Sequence, residues 1–324
     1  MGISIVNYTV SGDEDNRWGV LKDQKIWPLA GDYASHREVM TRYFSSRQAF
    51  EEAIGDSPIE TENVTFNSPV SADVQLFCQG LNYADHREES GRSAHDSGES
   101  LIFMKAASSI CAPNETIVRP KGCQLLDYEI ELALVLKQEI QQETQILEAD
   151  LPGYIGGLVL CNDVSARDSM FGASMLQWFK GKSYRTFCPM GPVLYLLDPE
   201  DFRHLYNLQL TLEMNGEIKQ SASTGALIHR PAETLTEIST YANMSTGDCL
   251  LTGTPGGVLA QSSIKVGMSI LLNFTNDQKR RRKFTQAQLA QTRFLEPGDE
   301  LDLSIATPCG AIDLGRQRNG IRDA

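Results

Sequence analysis

From about residue 74 the chain alternates short apolar runs with Gly and Pro breaks. The runs at 126–136, 155–161, 193–197, 208–214, 249–251, 269–273 and 300–305 have strand length and strand-like composition, so each predicts a β-strand. Helical periodicity is sparser and predicts helices over 85–92, 166–174 and 231–242. Residues 1–70 carry shorter runs, with strands predicted over 4–10, 17–21 and 25–29 and a helix over 38–54. No internal repeat and no low-complexity tract occurs. The expected fold is mostly β with some α: a mixed β-sandwich roll, not a doubly wound α/β sheet. A small N-terminal α+β module over 1–70 is expected to precede a larger domain over 71–324.

Composition narrows the possible roles. The chain has 324 residues, 41% of them hydrophobic, and a formal net charge of -13. That balance argues against general nucleic-acid binding, which favours Lys and Arg surfaces. It also means that an anionic substrate needs a bound cation or a local basic cluster to offset repulsion. No apolar run reaches the ~20 residues that span a bilayer, and the first residues lack a secretory pattern. The seven cysteines are scattered, odd in number and never spaced C-x-x-C. They read as reduced thiols of a cytoplasmic protein and offer no zinc site. The run Gln278-Lys-Arg-Arg-Arg-Lys-Phe284 is basic, and 286–291 favours a helix. It reads as a solvated face, or as a basic rim for an anionic substrate or a partner subunit.

Five segments carry candidate chemistry. In Asp127-Tyr-Glu-Ile-Glu-Leu, strand alternation puts Glu129 and Glu131 on one face, about 7 Å apart. Tyr128, Ile130, Leu132 and Leu134 then face a core. The glutamate face continues as Ala133 and Val135, so both charges border apolar surface. They need a cation or an Arg/Lys partner unless they lie at a solvated edge. Asp163 ends the second segment, an apolar strand running into Asn162-Asp163, and reads as a helix N-cap or a metal ligand. Glu129, Glu131 and Asp163 together suit a hard cation, Mg²⁺ with Mn²⁺ or Ca²⁺ as alternatives. In the third segment His86 and Glu89 stand three apart on a predicted helix, either as a surface pair or as a base with its orienting carboxylate. The polar stretch 92–100 after them fits a lid. Lys182, in the fourth, is a surface lysine or reaches a buried anionic site. The fifth, Thr252-Gly-Thr-Pro-Gly-Gly-Val258, is a plain turn or a loop whose N–H groups and Thr254 approach a carboxylate.

Taken in order, these segments resemble the fumarylacetoacetate hydrolase family. The matching patterns are N-Y-x-x-H-x-x-E (Asn82 to Glu89), Y-E-x-E (Tyr128 to Glu131), N-D-x-S-x-R-D (Asn162 to Asp168), K-S-Y…P-x-G-P (Lys182 to Pro192) and T-G-T-P-x-G-V (Thr252 to Val258). The resemblance covers about 74–320. It implies the family's C-terminal β-roll and a homodimer. It implies Glu129, Glu131 and Asp163 as metal ligands, His86 and Glu89 as a catalytic lid dyad, and Lys182 and Thr254 around the substrate's anionic end. Tyr83, Arg167 and Arg185 fall in or beside the same motifs as substrate-binding candidates. Arg185, the 277–292 insertion and the segment after Glu89 depart from the family pattern and point to a diketo acid other than fumarylacetoacetate.

The implied activity is hydrolysis of the C–C bond of a 2,4-dioxo acid, of the acylpyruvate class, through a metal-stabilised enolate. His86 activates water and Lys182 meets the developing charge. The same chemistry serves an oxaloacetate-type decarboxylase or an oxo-diacid isomerase. A non-catalytic small-acid binding protein is the alternative from another class. The expected partner is a small anionic oxo-acid, with no nucleic acid and no membrane.

Overall fold

The computed structural model describes residues 1–13, 15–91, 93, 100–172, 175–262, 266–267 and 276–324. Its centre is a large mixed sheet. The strands Cys188–Leu196, Ile155–Asn162, Ile130–Leu136, Cys249–Leu251, Leu76–Gly80 and Leu101–Lys105 lie side by side in that order. All these neighbours are antiparallel except Cys249–Leu251 with Leu76–Gly80, which is parallel. Ile130–Leu136 and Ile155–Asn162 are buried along their whole length. That explains their near-continuous apolar sequence, because a sheet covered on both faces has no polar side to show. Ile130, Leu132, Leu134 and Leu136 enter one core, while Ala133 and Val135 enter the other.

A second sheet, Glu217–Ser223, Gln209–Met214, Glu300–Ala306, Asp313–Asp323 and Ile117–Arg119, packs on the first core. The fold is therefore mostly β with mixed sheets, as the pattern predicts. In the first 70 residues, Ile3–Val10 pairs antiparallel with Cys188–Leu196 and so continues the central sheet. Helices His36–Ser45 and Arg47–Glu51 pack on the second core through Val39, Met40, Tyr43 and Phe50.

Several elements differ from the sequence reading. The single strand expected over 126–136 is two pieces, Leu126–Asp127 and Ile130–Leu136. Between them the Glu129 N–H donates to the Asn162 side chain at 3.0 Å, and the Glu129 carbonyl accepts from Asp163 N–H at 2.8 Å. These bonds replace a regular ladder. The helix predicted over 38–54 breaks at Ser46, whose side chain caps the second half by accepting from Ala49 N–H. A helix Trp178–Lys182 was not anticipated. The basic run is itself helical, Asp277–Leu289, capped by Asn276, rather than preceding a helix at 286. The strand predicted over 269–273 lies outside the described residues, as do 92 and 94–99 of the expected lid.

Candidate metal centre and active-site cavity

Four loops converge where the central strands end. Asn82, just past Leu76–Gly80, holds them in register. Its amide donates to the carbonyls of His229 (3.0 Å) and Thr252 (2.8 Å) and accepts from His229 N–H (2.7 Å). The Thr252–Val258 loop needs two of its glycines. Gly253 has φ +95°, and a side chain there would strike Asn82 and the Gln79 carbonyl. Gly257 has φ +101° and leaves no room beside the Lys219 carbonyl. The Gly253 N–H donates to Glu131 Oε2 (2.8 Å) and the Gly257 N–H to Glu89 Oε1 (2.7 Å). Buried Gln220 clamps the same loop, donating to Thr254 Oγ1 and the Pro255 carbonyl, both at 2.8 Å.

Glu129, Glu131 and Asp163 meet here. All three are buried, and one carboxylate oxygen from each lies within 4.8 Å of the others. Asp163 is not a helix N-cap, because the following helix, Arg167–Phe171, starts after Ala166. Lys182 Nζ donates to Glu129 Oε2 (2.5 Å) and Asp163 Oδ2 (2.6 Å). Arg167 reaches Glu129 Oε1 (2.5 Å) and donates through Nε to Asp127 Oδ2 (2.9 Å). Sequence reasoning missed Lys105, whose Nζ donates to Asp163 Oδ1 (2.5 Å) and the Phe187 carbonyl (3.0 Å). It also missed Asp127, which accepts from the N–H groups of Leu259 and Ala260 besides Arg167. The available signal was a lone charge ending an apolar run, as in Leu101-Ile-Phe-Met-Lys105.

Charge balance exposes what this cluster lacks. Among the described residues, four buried carboxylates, counting Asp127, face three buried cations, Lys105, Lys182 and Arg167. Burial opposes ionisation of Glu129, but Lys182 and Arg167 outweigh it and hold the carboxyl down to about 2. Glu131 is the reverse. Burial, then the charges of Asp163 and Glu129, push its carboxyl well above the ordinary range. Among the described residues Glu131 makes no ion pair; its partner is the Gly253 N–H. A buried carboxylate without an ion pair among the described residues, with an oxygen within 4.8 Å of one from each of two more carboxylates, fits a hard divalent ion.

The cluster forms one end of a cavity of about 270 Å³. His86, Glu89, Arg167, Lys182 and Thr254 line it with Glu129 and Glu131. His86 and Glu89 sit on helix Ala84–Glu89, with Nδ1 and Oε2 3.5 Å apart, beyond a good hydrogen bond. Neither of those atoms has another hydrogen-bond partner among the described residues. Two candidates fall elsewhere. Tyr83 is buried and bridges to Leu227 without lining the cavity. Arg185 is exposed and lines a separate surface depression with Lys121 and Arg322. It sits on the turn after helix Trp178–Lys182. In the basic run, Arg280 and Arg281 are taken up by the Phe171 carbonyl and the Asp168 carboxylate instead of forming a rim around the cavity.

The sequence model described as fumarylacetoacetate (FAA) hydrolase C-terminal matches residues 75–322. The chain belongs to the fumarylacetoacetate hydrolase family. Within the family it is similar to the protein named oxaloacetate tautomerase FAHD2A, mitochondrial, of Bos taurus, 37% identical over 195 residues. That match spans 60% of this chain and 60% of the relative. A crystal structure of a probable 2-hydroxyhepta-2,4-diene-1,7-dioate isomerase from Mycobacterium abscessus aligns with a TM-score of 0.73 at 27% identity, covering 100% of this chain and 99% of the other. The fumarylacetoacetate hydrolase of the psychrophilic Exiguobacterium antarcticum aligns equally well, with a TM-score of 0.73, 27% identity and coverage of 99% and 100%. Family members with different named reactions thus share this fold. The seven cysteines are free, and no described helix is long and apolar enough to cross a membrane.

Proposed function

We propose that this member of the fumarylacetoacetate hydrolase family is an enzyme that binds a small 2-oxo acid at the carboxylate cluster and works through its enolate. The observation that carries the reading is the imbalance, among the described residues, of four buried carboxylates against three buried cations, with a histidine in the same cavity. A divalent cation, Mg²⁺ by the all-oxygen donor set, would be held by Glu129, Glu131 and Asp163, and would supply Lewis-acid polarisation of the 2-oxo group. Lys182 would stand beside the charge that develops on the enolate oxygen. Arg167, fixed between Asp127 and Glu129, keeps Glu129 ionised and correctly turned. Thr254, pinned by Gln220, offers its hydroxyl to the substrate carboxylate.

For a 2,4-dioxo acid, His86 would take a proton from water while Glu89 orients its Nδ1 face. The water oxygen bonds to the 4-oxo carbon and the C3–C4 bond breaks. Its electron pair becomes the enolate of pyruvate, which is protonated at C3, and the acyl part leaves as a carboxylic acid. The similarity to FAHD2A favours a second reading, keto–enol proton transfer in a 2-oxo-diacid such as oxaloacetate, in which His86 moves the proton and no water adds. A panel of acylpyruvates and oxaloacetate with Mg²⁺ and product identification tests both readings. Release of pyruvate and a carboxylic acid supports hydrolysis. Enol–keto interconversion without new products supports proton transfer, and no conversion of any 2-oxo acid refutes the proposal.

A further inference from the structure

The half of the cavity away from the carboxylates has a different character. Phe103, Phe171, Trp178 and Phe284 line it, joined by Leu176 and Val258. The rings form a continuous series. Phe103 and Trp178 have centroids 5.3 Å apart, Trp178 and Phe171 5.8 Å, and Phe171 and Phe284 5.8 Å. The series begins at the charged end, because Lys182 Nζ lies 5.3 Å from the Phe103 centroid. Phe284 is buried, but Phe103, Phe171 and Trp178 keep part of their surface uncovered. Phe284 comes from helix Asp277–Leu289, on the face that also buries Arg280 and Gln288. That helix thus closes this wall.

Among the described lining residues, the ring-lined end carries no charged side chain of its own. The cationic side chains lining the cavity, Arg167 and Lys182, are both engaged by the carboxylate cluster. A second carboxylate seated among the rings would lose its water without gaining a cation among the described lining residues. An apolar flat group would instead bury surface and stack against ring faces and edges.

We propose that the substrate carries an aryl or compact branched-alkyl group at the end remote from its 2-oxo acid, and that Phe103, Phe171, Trp178 and Phe284 select it. This rests on the preceding assignment of the charged end to a 2-oxo acid. The selection acts against diacids of similar length, whose second carboxylate finds no cation among the described residues at the ring-lined end.

Calorimetric binding of three unreactive mimics to the Mg²⁺-loaded protein tests it: oxamate, N-phenyloxamate and N-(carboxymethyl)oxamate. N-Phenyloxamate is expected to bind at least about tenfold more tightly than oxamate, and the diacid no more tightly than oxamate. Trp178→Leu and Phe284→Ala should each pull the phenyl-to-parent ratio toward one. Equal affinities of oxamate and N-phenyloxamate in the unaltered protein, or a preference for the diacid, would overturn the aryl assignment while leaving the 2-oxo acid reading standing. Failure of all three mimics to bind would refute both. If Trp178→Leu changes the oligomeric state by size-exclusion chromatography and leaves the ratio intact, the rings belong to an interface between copies and the proposal is wrong.

Discussion

Two buried histidines on short helices show how one residue type serves two ends. His36 opens helix His36–Ser45 where the N-terminal region meets the 245–248 turn. Its Nε2 donates to the Gly247 carbonyl at 3.0 Å, and its Nδ1 accepts from Ser71 N–H at 3.2 Å, with Ser71 Oγ 2.8 Å away. Burial, only partly opposed by the Gly247 bond, lowers its pKa to about 4. His86 is nearly as buried, yet its Nδ1 lies 3.5 Å from Glu89 Oε2 and has no other acceptor among the described residues. A satisfied buried imidazole is a fastener. One held just short of its partner costs stability and persists where a substrate or a moving proton makes use of it.

The contrast can be broken at several points. The largest effect is expected at the carboxylate cluster beside His86. Glu131→Gln, or chelation of the metal, should lower kcat/KM by about a thousandfold or more. Thermal scans of the same variant should show no loss of metal-free stability, because burial and the neighbouring Asp163 and Glu129 already disfavour the charged form of this carboxyl. They should also show loss of the Tm increment that Mg²⁺ gives the unaltered protein. Next, His86→Ala should cost on the order of a hundredfold in kcat and change unfolding free energy by less than about 1 kcal/mol. If stability fell instead of turnover, His86 would be ordinary packing.

His36→Ala should do the opposite. It strands the Gly247 carbonyl and the Ser71 N–H and is expected to cost about 2–3 kcal/mol in denaturant unfolding, with activity per folded molecule unchanged. The smallest effect sharpens the comparison through pH. The folded pKa of His36, about 4, lies below the ordinary value of 6.5. The unfolded chain therefore binds more protons between those values, and stability rises with pH across that window. The His36 contribution is complete above about pH 6.5 and is lost as pH falls toward 4, with a steepest slope of about 1.4 kcal/mol per unit. His36→Asn should flatten this part of the unfolding profile, measured by denaturant midpoints from pH 4 to 7. An unchanged slope would mean that His36 is already charged in the fold.

Reading the chain in advance succeeded where a pattern is local. The Ile130–Leu136 strand announced itself by near-continuous aliphatic residues, and the placement of Glu131 among Ala133 and Val135 marked a charge bordering core. Helix Ala84–Glu89 and its i, i+3 pair were equally visible. The reading failed where a role depends on distant neighbours. Arg185 looked like part of the Lys182 segment, yet the turn between them sends it to the surface. Lys105 looked like the polar end of a strand, yet it closes on Asp163, 58 positions away. Phe284 hid inside a basic run whose helical periodicity of 280, 284 and 288 carries the buried face.

By itself the sequence determined the sheet-forming runs, the Gly- and Pro-rich turn over 252–258, and the set of carboxylates available to hold a cation. Each follows from the backbone preferences or the spacing of a few consecutive residues. Only the tertiary structure decided how those carboxylates are neutralised, which histidine is satisfied and which is not, and that four rings from separate segments share one wall. Charge balance and cavity shape are sums over residues far apart in the chain, and no local periodicity encodes such a sum.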